Sequence, residues 1–250
     1  MIKRAMMLMT VLTAGGRGAC AAKQKTSFIQ RASSSSSPIS PIGIRQKEYC
    51  HLLSNVDVPV LAGIGPAGCG KTFFACNYAI RALSAREVDR IVITRPVVAV
   101  DEDLGFLPGS ISQKMDPWIR PILDSFGEFY SQTSIQRMMN DRTIEIAPLA
   151  YMRGRTFKNA FVIADEMQNS TPNQMLMMLT RIGEGSKLVI TGDLMQSDIR
   201  GGKNGLGDFY SRYQASGGYM PDIRCVEFEV TDVQRSSVVA SILEMYSNYK

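Results

Sequence analysis

Histidine is almost missing from this chain: His51 is the only one in 250 residues. Catalytic triads that need an imidazole base, and metal centres built on histidine, are therefore excluded. Cysteine occurs at Cys20, Cys50, Cys69, Cys76 and Cys225, never in a C-x-x-C spacing. Such a set supports neither a zinc site nor a disulfide framework. No apolar run approaches the roughly 20 residues of a membrane-spanning helix, so no membrane association is expected. Acidic residues are absent before Glu48.

Eight bases precede Glu48: Lys3, Arg4, Arg17, Lys23, Lys25, Arg31, Arg45 and Lys47. The formal net charge of +5 rests on them, because without them 20 bases face 23 acids, a net of −3. The basic balance is thus no argument for a basic nucleic-acid-binding body. Residues 1–43 read as a targeting or disordered leader. The stretch is acid-free, holds an unbroken serine run from Ser33 to Ser37, and continues into Pro38 and Pro41. That is the composition of a mitochondrial or chloroplast transit peptide. Lys3-Arg4, the apolar residues 5–14 and Ala19-Cys-Ala21 also resemble a signal peptide with its cleavage site. Both signals in series would suit a plastid reached through the secretory pathway. The alternative is a disordered tail that is never cleaved. The expected location is an organelle, plastid or mitochondrion, if the leader is a transit peptide, and the cytoplasm otherwise. Residues 44–250 are enough for one domain with a sizeable core.

What the chain does have is Gly65-Pro-Ala-Gly-Cys-Gly-Lys-Thr72, which fits the P-loop pattern G-x-x-x-x-G-K-S/T. The apolar run Val58-Pro-Val-Leu-Ala-Gly-Ile64 precedes it and a helical pattern over 71–86 follows. Strand, glycine-rich loop and helix together make a phosphate site. Gly65, Pro66, Ala67, Gly68, Cys69 and Gly70 would present backbone N–H groups to phosphate oxygens at a helix N-terminus. Lys71 would reach the β- and γ-phosphates of ATP, and Thr72 would ligate Mg²⁺. Cys69 is a candidate oxidation target, although a small residue also fits there for packing alone.

Five further short β-branched runs read as buried strands: residues 90–94, 143–147, 160–164, 187–191 and 224–230. Helical patterns alternate with them over 71–86, 112–140 (two helices, broken near Ser131), 173–181 and 233–249. Thr171-Pro172 opens the helix at 173, because proline suits a first helical turn. Apolar strands alternating with helices imply an α/β fold, a mostly parallel sheet flanked by helices on both faces. Phe161-Val-Ile-Ala-Asp165-Glu166 is an apolar strand ending in two acids. Placed beside the P-loop strand, Asp165 would hold Mg²⁺ and Glu166 would orient the attacking water. Thr191-Gly-Asp193 ends the next strand and Gln196 follows, a place from which a γ-phosphate sensor can move a loop.

These residues resemble the PhoH family, a RecA-like P-loop group related to superfamily-one helicase cores. The matching stretches include Gly63 to Thr72, Ile93-Thr-Arg-Pro96, Leu104-Gly-Phe-Leu-Pro-Gly109, Met115-Asp-Pro-Trp-Ile-Arg-Pro121, Tyr151-Met-Arg-Gly-Arg-Thr156, Ile163 to Asn169, Leu179-Thr-Arg-Ile-Gly183 and Ile190 to Gln196. Their order and spacing match the family over 46–249. The resemblance implies that Gln46, followed by Tyr49, reads adenine; otherwise Gln46 is a leader residue of no consequence. It implies that Gln168 is the glutamine of the helicase-like D-E-x-Q signature. It places Arg235, in Thr231-Asp-Val-Gln-Arg235, at a developing phosphate charge; a helix-surface arginine is the other reading. The family usually continues Arg-His-Pro, whereas this chain continues Arg235-Ser-Ser237. RNA metabolism and phosphate-stress biology are further implications of the resemblance.

Arg95, Arg153 and Arg155 lie near strand ends, and Tyr151 could stack on a base of single-stranded RNA. Arg153 and Arg155 could equally anchor a loop by ion pairs. Helicase-type motors close a cleft between two lobes, and this chain has one. It therefore borrows the second from a neighbour or does not translocate. A homo-oligomeric ring, a hexamer, would bring Arg235 or Arg181 of one subunit to the next subunit's ATP. Three functions compete: an oligomeric ATPase that remodels RNA, a nucleotide-dependent switch with little turnover that acts through a protein partner, and a small-molecule kinase. The last lacks an arginine-rich lid and suits D-E-x-Q poorly.

Overall fold

The computed structural model describes residues 40–97, 111–198, 204–233 and 245. Its centre is a six-stranded sheet of β1 (Val60–Ile64), β2 (Arg90–Arg95), β3 (Ile144–Pro148), β4 (Ala160–Ala164), β5 (Lys187–Gly192) and β6 (Ile223–Glu227). The strand order is β3-β2-β4-β5-β1-β6 and every pair is parallel. Parallel neighbours need crossovers, and the helices that supply them cover both faces. α1 (Ile44–Ser54), α2 (Lys71–Ser84), α3 (Ile111–Gly127) and α4 (Gln132–Asn140) pack with Leu61, Ile91, Ile93, Phe161, Ile163 and Val189. α5 (Pro172–Leu179) and α6 (Gly205–Ala215) pack with Val92, Val162, Leu188 and Ile190 on the other face. Neighbouring residues of one strand thus enter opposite layers, and the four inner strands β2, β4, β5 and β1 carry continuous apolar runs because neither layer is wet there, whereas the edge strands β3 and β6 admit Glu145 and Arg224. This is the mostly parallel α/β sandwich expected from the sequence, with the connectivity of a RecA-like P-loop fold.

Each expected strand is present within a few residues. β6 stops at Glu227, short of residue 230. A 3-10 turn at Val230–Asp232 takes over, closed by the Glu229 N–H donating to Asp232 Oδ2 at 2.9 Å. The break near Ser131 is real: its hydroxyl accepts from the Ser134 N–H and caps α4. Thr171 and Gln174 form a capping box that starts α5 at Pro172. Two helices were not expected. α1 buries Gln46, Tyr49, Cys50 and Leu53, a helical spacing in which a glutamine occupies a core position. α6 opens on Gly205 and Gly207, residues of poor helix propensity, yet Asn204 caps it by accepting the Gly207 N–H at 2.6 Å. Arg235 and most of the helix expected over 233–249 lie outside the described residues, as does all but the end of the leader. Among the described residues no helix is long and apolar enough to cross a membrane.

Candidate functional site

β1 delivers the chain to the loop at its carboxyl end, where Gly65 has φ 147°. A Cβ there would stand 2.5 Å from the Phe228 carbonyl oxygen, so glycine is required on both conformational and steric grounds. The Gly65 N–H donates to Gly192 O at 3.0 Å and the Phe228 N–H to Ile64 O at 2.7 Å, so both neighbouring strands grip the loop's start. Gly70, at φ 81°, turns the chain into α2. Ala67 and Gly68 form an exposed rim, whereas Cys69 is fully buried and its thiol faces Glu229 O at 3.8 Å. That burial removes Cys69 from easy oxidation. Lys71 begins α2 with 9% of its surface exposed, and its Nζ donates to Gly65 O at 2.6 Å and Pro66 O at 2.7 Å. Burial pushes its pKa down, while Cys69, Asp193, Glu166 and Asp165 oppose the shift. An ammonium has three N–H donors; the two carbonyls aim it along the loop and one donor remains for a phosphate oxygen.

Asp165 was expected on a strand beside β1. The strand order corrects this: β5 lies between β1 and β4, because parallel pairing gives β4 the neighbours β2 and β5. The intervening strand contributes Thr191. Its hydroxyl donates to Asp165 Oδ1 at 2.5 Å, and Thr72, from the far side, donates to the same oxygen at 2.7 Å. Asp165 is 6% exposed and its N–H is fixed by Thr94 O at 2.8 Å. Each hydroxyl that gives its hydrogen to Asp165 keeps its lone pairs free. Thr72 can therefore ligate a cation while still bonded to the carboxylate. Among the described residues no three His, Cys, Asp or Glu side chains converge as a metal cluster. One carboxylate and one hydroxyl suit Mg²⁺, which keeps several waters and takes substrate phosphates as ligands.

Glu166 follows with φ 53° and ψ 42°, a left-handed conformation that a non-glycine residue adopts at a cost of about 1–3 kcal/mol. The turn ends β4 and starts the 3-10 turn Met167–Asn169. Gln168, buried there, donates from Nε2 to Glu166 Oε2 and accepts the Asp193 N–H on Oε1 at 3.2 Å. Gln196, expected as the sensor, is exposed; its backbone N–H reaches Asp193 O at 3.3 Å. The buried glutamine that touches both acidic segments is Gln168.

A family model described as "PhoH-like protein" matches residues 38–247. The chain belongs to the PhoH-like family. It is 46% identical over 206 residues to a PhoH-like protein of Synechocystis sp., covering 81% of this chain and 60% of that one. It is 42% identical over 212 residues to Protein PhoH of Escherichia coli K12, covering 83% of this chain and 59% of that one. The PhoH-like chain thus spans about three fifths of the length of these relatives. Among solved structures, the large terminase from a thermophilic bacteriophage shares 12% identity over 82% of this chain and 50% of that one, with a TM-score of 0.48.

The PhoH-like chain uses its other candidate residues unevenly. Gln46 is no leader residue: it is 1% exposed on α1, donates to Cys69 O at 3.2 Å and accepts the Ile42 N–H at 2.9 Å. Tyr49, one turn on, donates to Lys71 O at 3.3 Å, so α1 braces the P-loop from behind. Arg155 forms a bidentate pair with Glu145 at 2.6 and 2.7 Å and stacks on Phe157, which resolves its two readings in favour of an anchor. Arg153 and Tyr151 are exposed beyond β3, and Arg95 ends β2, opposite Pro148 of β3. Arg181 directs its guanidinium to Met177 O, Arg155 O and the Thr180 hydroxyl. Sequence reasoning did not find the donation by Thr191 or the bracing by α1, since both depend on which strands and helices become neighbours.

Proposed function

We propose that this PhoH-like chain binds Mg-ATP at Gly65–Thr72 and hydrolyses it. The observation that carries the reading is the convergence of Thr72 and Thr191 on one oxygen of Asp165, with Glu166 next in the chain and Lys71 at the loop mouth. The loop N–H groups and the free Lys71 donor would hold the β- and γ-phosphates. Mg²⁺, when bound, would neutralise charge on the phosphate oxygens, with Thr72 and Asp165 on its protein side. Glu166 would accept a hydrogen bond from water and aim the oxygen at the γ-phosphorus, giving ADP and phosphate. Gln46 would act through the loop by fixing the Cys69 carbonyl, in addition to any contact with adenine. Arg235 would meet the developing charge at the site of a neighbouring subunit in a ring.

Single-stranded RNA is the proposed second substrate. Arg95, Tyr151 and Arg153 lie on the β2–β3 side of the sheet, away from the P-loop, and none of their side chains makes a hydrogen bond or ion pair with another described residue. Positive charge beside an exposed aromatic ring is the combination that holds a phosphate backbone and stacks a base. The test is ATP binding and turnover by the full chain with Mg²⁺, with and without single-stranded RNA. Lys71→Ala is expected to abolish ATP binding; unchanged affinity sinks the site. Glu166→Gln is expected to keep ATP bound while turnover drops about a hundredfold or more. ATP binding by the parent chain with no hydrolysis, RNA present or absent, refutes the ATPase reading in favour of a switch.

A further inference from the structure

Gln168 is 2% exposed, and its two amide ends point to different segments. The donor end holds the Glu166 carboxylate and the acceptor end holds the Asp193 N–H. More bonds join the same pair of segments. Ser197 Oγ donates to Gln168 O at 3.1 Å. Asn169 Nδ2 donates to Asp198 Oδ2 at 2.9 Å, and the Asp198 N–H returns to Asn169 Oδ1 at 3.0 Å. Within the outer segment, the Met195 N–H is tied to Asp193 Oδ1 at 2.9 Å. The turn after β4 is therefore zipped along residues 168–169 to the loop 193–198 after β5. The fit is close: a Cβ on Gly192 would stand 2.6 Å from Gln168 Oε1. Met195, 91% exposed, marks the outer side of this loop.

We infer that Gln168 is a positioning residue that holds Glu166 in its working orientation and makes the loop 193–198 follow it, so that the loop reports whether the γ-phosphate is present. An amide is required because it donates and accepts at opposite ends. Glutamate at this position would keep the bond to Asp193 but set a like charge against Glu166; methionine would keep the length and lose both bonds. Asn169 and Asp198 extend the connection outward by a reciprocal pair that survives if the two side chains are exchanged. The inference rests on the nucleotide site proposed above.

The experiment uses the full chain with Mg-ADP or a slowly hydrolysed Mg-ATP analogue. It reads hydrogen exchange of residues 193–198 together with the Kd and kcat for ATP. In the parent protein, exchange in this loop is expected to differ between the two nucleotides. Gln168→Met and Gln168→Glu are expected to bind ATP within about threefold of the parent, lose about a hundredfold in kcat, and show the same loop exchange with either nucleotide. Asn169→Asp alone is expected to erase the exchange difference, and Asn169→Asp with Asp198→Asn to restore it. A role confined to stability would lower the melting temperature and leave the nucleotide dependence intact. Retained dependence in both Gln168 variants, or no rescue by the exchange, overturns the inference. Binding without turnover in the parent would overturn the hydrolysis proposed above, and the exchange difference would still decide this one.

Discussion

Thr191→Val tests the corner on which the site is built. The substitution keeps the branched shape and removes the hydroxyl that donates to Asp165 Oδ1 at 2.5 Å. Thr191 is 1% exposed, so water does not replace the bond. A hydrogen bond to a charged group is worth about 1.5–3 kcal/mol net. Asp165 keeps the Thr72 hydroxyl at 2.7 Å, which places the expected loss at the lower end, about 1.5–2 kcal/mol. For a domain of this size that corresponds to a fall in Tm of about 3–8 °C and in the urea midpoint of about 0.5–1 M. The measurement is a double-mutant cycle in urea with Asp165→Ala, in the full chain and without nucleotide. Whatever Asp165→Ala does to stability by itself cancels in the cycle. In that background the Thr191 hydroxyl is a buried donor with no carboxylate to receive it, so Thr191→Val should be neutral or stabilising. The coupling energy should therefore be about 1.5 kcal/mol or more. Equal costs for Thr191→Val in both backgrounds would show that Asp165 does not depend on β5.

Gly65→Ala should destabilise by about 2–3 kcal/mol, since the added Cβ meets Phe228 O and the backbone conformation is strained; a melt unchanged from the parent would contradict the loop geometry. Lys187 is a pH reporter: burial lowers its pKa from 10.5 to about 8, and its Nζ donates to Leu52, Asn55 and Val58 carbonyls at 2.8 Å each. The unfolded chain then binds more protons than the folded one between pH 8 and 10.5, so stability rises with pH across that window, by up to about 3 kcal/mol. Lys187→Met should lack this rise, and parallel urea-stability profiles for the two proteins would refute the shift. Arg155→Lys should lose about 1 kcal/mol of stability with RNA affinity unchanged, because the fork to Glu145 cannot be rebuilt by an ammonium. Arg153→Ala should do the reverse in an RNA titration, and the opposite pattern would exchange the roles assigned to the two arginines.

The residues that could be read from sequence were those whose signal is local. Ile163-Ala-Asp165-Glu166 reads as a strand tip because burial on both sheet faces leaves an apolar run that two acids interrupt. Ser131 and Thr171 read as helix starts because a cap is satisfied by its own next turn. α1 was missed because Gln46 occupies one of its core positions, and the partner that makes a glutamine acceptable there is the Cys69 carbonyl, 23 residues away. In sequence Lys187 is only the first residue of the run 187–191, whereas its Nζ is enclosed by carbonyls from the end of α1 and the segment before β1.

Strand order is the deeper case. Every crossover here is long enough to place the next strand on either side of β1, so periodicity cannot say which strand lies between β1 and β4. Had β4 paired directly with β1, Thr72 would be the hydroxyl available to Asp165, and Thr191 would point elsewhere. With β5 between them, the carboxyl ends of three successive strands meet: Gly65 is gripped by Gly192, Asp165 by Thr191, and Glu166 reaches Asp193 through Gln168. A shift of β5 must then be felt by the P-loop, the cation corner and the water-orienting acid together. For that reason Thr191→Val and the Gln168 variants should couple energetically, although no hydrogen bond joins Thr191 to Gln168. A cycle between Thr191→Val and Gln168→Met that is additive within about 0.3 kcal/mol would show that β5 does not move as a unit.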